Sequence, residues 1–497
     1  MSEMLPLLIL LSALLPAIIT FFLPQRAYGW RNGLNLGGAT LALALVAYML
    51  WSVSNGAIYE TRLNLVPGLY FLLRVDELSL LFMALSASLW FITTIYAIAY
   101  FGTKPNLSRF FGFFSLCIAA TIGIALSGTL ITFFIFFEML TLSTWPLVVH
   151  KQNKESMAAG LSYLRYALPG SVALLVAIVW LNSAIGPIEF AHPIDLRVLD
   201  DTSLRIIFAL FIMGLGVKAA LIPLHGWLPR AMAAPAPVSS LLHAVAVVKA
   251  GAFGIVRVVH DVFGVNLVVE LGVGFILALL ASATIIWGSI RALQQEEIKK
   301  RLAFSTVSQV SYIVLGVALA GPYAAIGALA HLVHQGLMKI TLFFCAGIYA
   351  ERAEIVRIDA LNGIGTRMPW TSVSFTLGAI GMIGLPPMAG FISKYYLGLG
   401  ALESGQPWVI AVLAISTLLN AAYFLPMIYR IWFLDPPKTS NVLEISTLKQ
   451  PLSEGSLALV GPAVVTAFAA LAVGLFAGAP ISPLNWATLI VERSNTP

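Results

Sequence analysis

GLGVKAALIPLHGWLP, residues 214–229, sets a lysine and a proline five residues apart inside a run that is otherwise apolar. A second stretch, GAIGMIGLPPMAGFISK (378–394), repeats the arrangement with Pro386, Pro387 and Lys394. Proline has no N–H and clashes with the carbonyl four residues back, so Pro223 frees the carbonyl of Ala219 and Pro386 that of Met382. In hydrocarbon a freed carbonyl must find another partner, and broken segments at matching places in two halves of a chain mark inverted-repeat transporters. The competing reading is a pair of kinked packing helices.

Working outward, the rest of the chain has the same character. Of 497 residues 59% are hydrophobic and 10% are charged, against about 25% charged in a soluble domain. Polar and Gly/Pro punctuation cuts the chain into fourteen apolar segments, among them 4–24, 129–149, 203–222, 236–260, 323–350, 371–399 and 456–478. These approach or exceed the ~18 residues that mark a membrane span. The expected fold is all-α, a polytopic membrane protein of 14 transmembrane helices. Segments 4–8 and 9–13 form two inverted repeats, with helices 7 and 12 broken. The corresponding division is 1–109 for helices 1–3, 110–260 for the first repeat, 261–432 for the second, and 433–497 for helix 14 and the tail. The first segment lacks a basic flank and precedes thirteen similar ones, so it reads as a retained helix.

Charge gives orientation. Eighteen of the 28 lysines and arginines fall in or beside the odd-numbered loops, Lys438 and Lys449 among them, and six, including Arg257, fall on the other side. Basic residues in short loops stay cytoplasmic, which predicts extracytoplasmic termini in the cell (inner or plasma) membrane. The net charge of +6 is thus a topology signal, and no basic run with interleaved aromatics points to nucleic acid. Cys117 and Cys345 match no disulfide or metal-ligand spacing. No cofactor, metal or redox centre is expected in the chain itself. Asp76 and Glu77 read as interfacial, and QQEEIKKR (294–301) as a solvated turn.

The remaining four lysines, Lys218, Lys249, Lys339 and Lys394, lie within the spans, and Glu138 joins them in FFIFFEMLTLSTWPL (133–147). An ionisable group at bilayer depth is a functional site by default. If Lys218 packs against Glu138, the pair is charged or neutral according to where the proton sits; the alternative is a fixed structural ion pair. Lys249 (SSLLHAVAVVKAGAFG, 239–254) and Lys339 (AHLVHQGLMKITLFF, 330–344) add titratable groups with no carboxylate on their own helices. His331 and His334 stand one turn apart, and His331 lies about 80° from Lys339 around a helix, so they can line one wet groove. His243 lies about 120° from Lys249 on a continuous helix and addresses different neighbours. His225 and His243 are accessory candidates that also fit hydrogen-bonded core positions. Lys394 fits a place deep in the bundle or at an interface.

The run KAALIPLHGWLPRAMAAPAPVSSLLHAVAVVKAG (218–251) resembles the signature of the proton-conducting antiporter family: the Mrp-type cation/proton antiporter subunits and their relatives in respiratory complex I and membrane-bound hydrogenases. The similarity covers roughly residues 70–430. It matches Glu138 to the family's fifth-helix glutamate, Lys218 to its broken-seventh-helix lysine, Lys249 and Lys339 to the two central lysines, and Lys394 to the twelfth-helix residue. Lysine at 394 and the length after helix 14 resemble the Mrp D-type subunit or the smallest antiporter-like subunit of complex I. Many relatives carry histidines four and eight residues before the lysine matched by Lys339; here His331 holds the second position and Gln335 the first, with His334 displaced by one. The resemblance implies a proton-translocating subunit of a multisubunit Na⁺(K⁺)/H⁺ antiporter. Its partners would be other membrane subunits, protons, monovalent cations and the lipid bilayer. Its charge switch would be Glu138 and Lys218, its midplane carriers Lys249, His331, His334 and Lys339, and its surface connection Lys394. Two rival readings stand beside it: a proton-pumping subunit of a complex I-type or hydrogenase complex, and a purely structural membrane subunit.

Overall fold

The computed structural model describes residues 4–66, 69–190, 195–436 and 453–494; Lys438 and Lys449 lie outside the described residues. Among those described, thirteen helices are long and apolar enough to cross a membrane. They are α1 (Leu5–Phe22), α2 (Tyr28–Ser54), α3 (Glu77–Phe101), α4 (Leu107–Leu126), α5 (Leu130–Val148), α6 (Lys154–Ile185) and α7 (Asp201–Ala219), then α8 (Ala236–Phe263), α9 (Val273–Leu293), α10 (Ile298–Ala318) and α11 (Pro322–Ala353), and finally α13 (Trp408–Phe433) and α14 (Leu457–Leu475). Between α11 and α13 the expected twelfth crossing consists of two fifteen-residue helices, α12a (Pro369–Ile383) and α12b (Ala389–Glu403). Each is too short to span alone. The chain is thus a helical membrane bundle broken at the two proline sites. The twelfth segment of the expected series, read as broken, is the pair α12a and α12b.

Burial sorts the helices into two classes. Every residue of α8 from Ala236 to Val259 is buried, as is nearly all of α10 and α11. On the outer helices only one stripe is buried, and the rest of the surface stays apolar: Leu142 is 65% exposed, Ile276 66% and Leu418 71%. An apolar surface of that extent has lipid as its solvent. The lysine-bearing helices α8 and α11 therefore form the interior of the bundle.

Two features depart from the all-helical, proline-broken expectation. Residues 59–75 form an antiparallel hairpin, β1 (Tyr59–Val66) and β2 (Leu69–Val75), paired from Tyr59 opposite Val75 to Val66 opposite Leu69. Leu72 donates its N–H to Thr132 Oγ1 (3.0 Å), anchoring the hairpin on α5. Helix α8, expected to be continuous over 236–260, is interrupted without proline at Val245 and Ala246 and resumes at Val247; its last turn, Val258–Phe263, is π-helical. After α14 a further helix, α15 (Pro483–Ser494), returns to α3, where Trp486 Nε1 donates to Glu77 O (2.9 Å).

The polar residues of the loops separate by end of the bundle. Lys104 pairs with Glu351 (2.5 Å) and Arg357 with Glu296 (2.8 Å), all on the strongly basic side read from the sequence. Arg197 pairs with Glu270 (2.6 Å), Arg257 with Asp76 (2.8 Å), and Arg62 with Glu189, all on the other side. Two expectations change here. Asp76 is not merely interfacial: it pairs with Arg257, which is 3% exposed and also reaches Asp261 (2.7 Å). The patch 294–301 is only partly solvated, because Lys299 donates to the carbonyls of Met232 (2.9 Å) and Ala234 (2.5 Å), and Arg301 to those of Gln295 (2.6 Å) and Tyr423 (3.0 Å). All of these carbonyls but that of Tyr423, which lies within α13, belong to turns or short helices, whose unpaired oxygens attract cations inward.

Candidate functional site

Lys218 lies in the last turn of α7, where the chain leaves the helix through Ala220 in the left-handed region (φ 58°). The unpaired carbonyls of a helix C-terminus favour a cation there. The side chain is 1% exposed. Its Nζ donates to the Phe137 carbonyl of α5 and lies 3.4 Å from the centre of the Phe137 ring. Glu138, the next residue, turns instead to α6, where Ser171 Oγ donates to its Oε1 (2.5 Å). Among the described residues no ion pair within 4.0 Å joins Glu138 to Lys218, although the two remain electrostatic neighbours. Lys218 thus reaches the backbone next to Glu138 and not its carboxylate, which a hydroxyl engages.

Lys249 and Lys339 are both 0% exposed. Lys339 on α11 donates to Leu302 O (3.1 Å) and to Ser305 Oγ of α10. Lys249 Nζ has no hydrogen-bond partner among the described residues, nor do both ring nitrogens of His243 and both side-chain polar atoms of Gln335. Buried polar atoms in native proteins are almost always satisfied, so this cluster is exceptional. Lys339, His331 and His334 each have Lys249 as an electrostatic neighbour. His331 Nδ1 is 2.8 Å from Ser393 Oγ on α12b; His334 approaches the backbone of Ala389 on the same half-helix. His243 stacks on Phe343 of α11 (4.6 Å between ring centres) and is an electrostatic neighbour of Lys339. The interruption at 245–246 removes the basis for the 120° separation from Lys249. His243 and Lys249 are both electrostatic neighbours of residues on α11: His243 of Lys339, and Lys249 of His331, His334 and Lys339.

Lys394 is partly buried at the second break. It reaches back to the C-terminal carbonyl of α12a, Ile383 O (2.6 Å), and to Thr417 Oγ1 of α13 (3.1 Å), with Nζ 5.5 Å from the centre of the Tyr312 ring. The carbonyl vacated by Pro386 is occupied: Met382 O accepts from Asn420 Nδ2 (3.3 Å) and Gln309 Nε2 (3.4 Å), as bilayer physics requires. At the first break, Val217 O accepts from Trp227 Nε1 (2.7 Å), and Ile222 N donates to Thr284 Oγ1 (3.2 Å). His225, half-buried beside Phe304 and Arg291, lies apart from the buried set. Sequence reasoning missed Ser171, Ser305, Ser393 and Thr417, because a hydroxyl within an apolar helix carries no charge to mark it.

The interior sequence is thus Glu138 and Lys218 on α5 and α7, Lys249 on α8, Lys339 with the histidines on α11, and Lys394 at the second break. Backbone contact bridges the gap between Lys218 and Lys249: a Cβ added to Gly251 would lie 2.2 Å from Ala219 N and 2.7 Å from Lys218 C. Only glycine lets α8 approach the first break this closely.

Comparison with known proteins agrees with this architecture. Residues 127–420 match the family model described as NADH:quinone oxidoreductase/Mrp antiporter, TM. The chain is 33% identical to NADH-quinone oxidoreductase subunit N of Desulforudis audaxviator (strain MP104C), over 88% of each chain. It is 30% identical to hydrogenase-4 component B of Escherichia coli (strain K12), covering 80% of this chain and 62% of that longer relative. It is 28% identical to the A/B-type subunit of a probable K(+)/H(+) antiporter of Rhizobium meliloti (strain 1021), covering 97% of this chain but about half (48%) of that relative. Its fold is that of a chain of the Mrp complex from Dietzia sp. DQ12-45-1b, with a TM-score of 0.85, 24% identity and coverage of 99% and 98%. With the model match spanning more than half its length over the very helices that carry the buried lysines, the chain belongs to the NADH:quinone oxidoreductase/Mrp antiporter transmembrane family.

Proposed function

We propose that this chain is the proton-translocating subunit of a multisubunit Mrp-type cation (Na⁺/K⁺)/proton antiporter, seated in the cell membrane with both termini outside. The observation that carries the reading is the set of fully buried ammonium groups whose contacts are neutral. Lys218 and Lys339 donate only to carbonyl and hydroxyl oxygens, and Lys249 has no protein partner among the described residues. A buried charge without a counter-ion is costly, whereas a group that takes up and releases a proton escapes the penalty for part of each cycle. In this scheme Glu138 and Lys218 form the switch. When Glu138 leaves Ser171 for Lys218, the ammonium is held; when it returns, Lys218 passes its proton towards Lys249. Lys249, His331, His334 and Lys339 share protons along the midplane through water, and Lys394 connects to one surface. His243 belongs with the carriers by its contact with α11, and His225 does not.

A second reading has its own support. The match to the quinone oxidoreductase relative extends over equal shares of two chains of similar span, which favours a proton-pumping subunit of a quinone-reducing complex, with the same internal path and a different driver. Purification with native partners followed by mass spectrometry of the co-purifying chains separates the two. Mrp-type membrane subunits support exchange; quinone- or hydrogenase-type subunits support pumping. Proton transport in proteoliposomes tests the shared core. Lys218→Ala and Glu138→Gln are expected to abolish it with the complex assembled. Loss of assembly with normal transport per assembled complex would support a structural role instead.

A further inference from the structure

A cavity of about 470 Å³ opens beside the first break, lined by His225, Gly226, Arg230, Trp287, Arg291 and Phe304 together with Pro229. It lies between the segment that follows α7, the last two turns of α9 and the start of α10. Among the described residues no carboxylate lines it, and neither guanidinium takes part in an ion pair. Each arginine carries five N–H donors. Arg230 uses one on Ser162 Oγ (3.1 Å), and Arg291 one on Gln294 Oε1 (2.9 Å), leaving most directed elsewhere. Arg291 is held over the cavity by Trp287 and Phe304, 5.9 and 5.5 Å from their ring centres. The Nδ1 atom of His225 is buried and has no partner among the described residues. A pocket with two such forks and an idle imidazole is built for an oxyanion with several acceptor oxygens.

The surroundings identify the carrier of that anion. The outer face of α9 runs from the cavity as an exposed apolar track: Ile276, Leu279, Trp287 and Ile290 are 66, 46, 46 and 38% exposed. Trp287 occupies the position of an interfacial aromatic, and the cavity lies at the strongly basic end of the bundle, where basic pockets between helices receive lipid head groups. We propose that this cavity binds the phosphate of an anionic glycerophospholipid whose acyl chain lies along α9. The site is separate from the buried lysines and holds whether the chain serves an exchanger or a redox pump.

Native mass spectrometry of the purified complex, in detergent with added phosphatidylglycerol or phosphatidylcholine, tests it. Wild-type complex is expected to retain phosphatidylglycerol in preference to phosphatidylcholine. Arg230→Gln/Arg291→Gln should reduce that retention by about tenfold at unchanged phosphatidylcholine binding, since each lost charge-assisted contact matters on this scale. Arg230→Lys/Arg291→Lys should restore part of it, and the mass of the intact complex in the same spectra shows that assembly survives. Equal retention by wild type and the Gln variant would overturn the proposal. So would displacement of the lipid preference by millimolar inorganic phosphate, which would make the site one for free phosphate, or loss of a neighbouring chain of the complex on substitution, which would make it a protein interface.

Discussion

The two breaks use the same chemistry and differ in what they touch. Each places a lysine beside a helix C-terminus at the break: Lys218 stands in the last turn of α7 with its Nζ on Phe137 O of α5, and Lys394 donates to Ile383 O at the end of α12a. Each is packed by a glycine at backbone distance. At the first break that glycine is Gly251, on the helix carrying Lys249; at the second it is Gly390, whose added Cβ would lie 2.0 Å from Gly381 O within the same broken crossing. Lys218 reaches across to α5, next to Glu138, whereas Lys394 stays mostly with its own crossing and α13. The first break therefore joins three helices that carry charge. The second is tied to α10, α11 and α13 through Gln309, His331 and Asn420, and its lysine rests on a carbonyl and a hydroxyl.

The largest effect expected from this contrast is in transport. Lys218→Ala should lower proton flux by about 100-fold or more, the scale on which a positioned proton carrier acts, and Lys394→Ala by about tenfold. Equal losses would remove the distinction between switch and terminus. Gly251→Ala and Gly390→Ala should each destabilise the bundle by about 1–3 kcal/mol through overpacking, read as a fall in thermal midpoint. Only Gly251→Ala should also slow transport in the molecules that remain folded, because it moves α8 from Lys218. Smaller still are the carbonyl caps: Trp227→Phe at the first break and Asn420→Leu at the second should each cost about 1 kcal/mol. The smallest are the hydroxyl deletions Ser171→Ala and Thr417→Val. Freed from the Ser171 hydroxyl, Glu138 should spend more time at Lys218, changing flux by only about twofold to tenfold, with Thr417→Val, the matching change at Lys394, having less effect.

Much of this was legible because the bilayer leaves few choices. A proline in an apolar span predicts a freed carbonyl, and Met382 O is found capped by two amides. A lysine in such a span predicts burial, and Lys249 and Lys339 are wholly buried. The interruption of α8 at 245–246 was not legible, since AVAVV contains no breaker; tertiary packing imposes it. Nor was the aim of Glu138, because one carboxylate has both Ser171 and Lys218 within its neighbourhood and only the packed helices decide between them. The hairpin does leave a trace in the sequence: the Pro67–Gly68 pair, a turn signal, stands between two runs that include strand formers, but these runs are short beside fourteen apolar segments.

Proton flux through the native complex in proteoliposomes, followed with a pH-sensitive dye and normalised to assembled complex, tests the central claim with a single substitution, Lys249→Ala. That ammonium has no protein partner among the described residues to lose, so its removal should leave the bundle intact and abolish transport. Wild-type flux in an assembled Lys249→Ala complex would show that protons do not travel by the buried lysines.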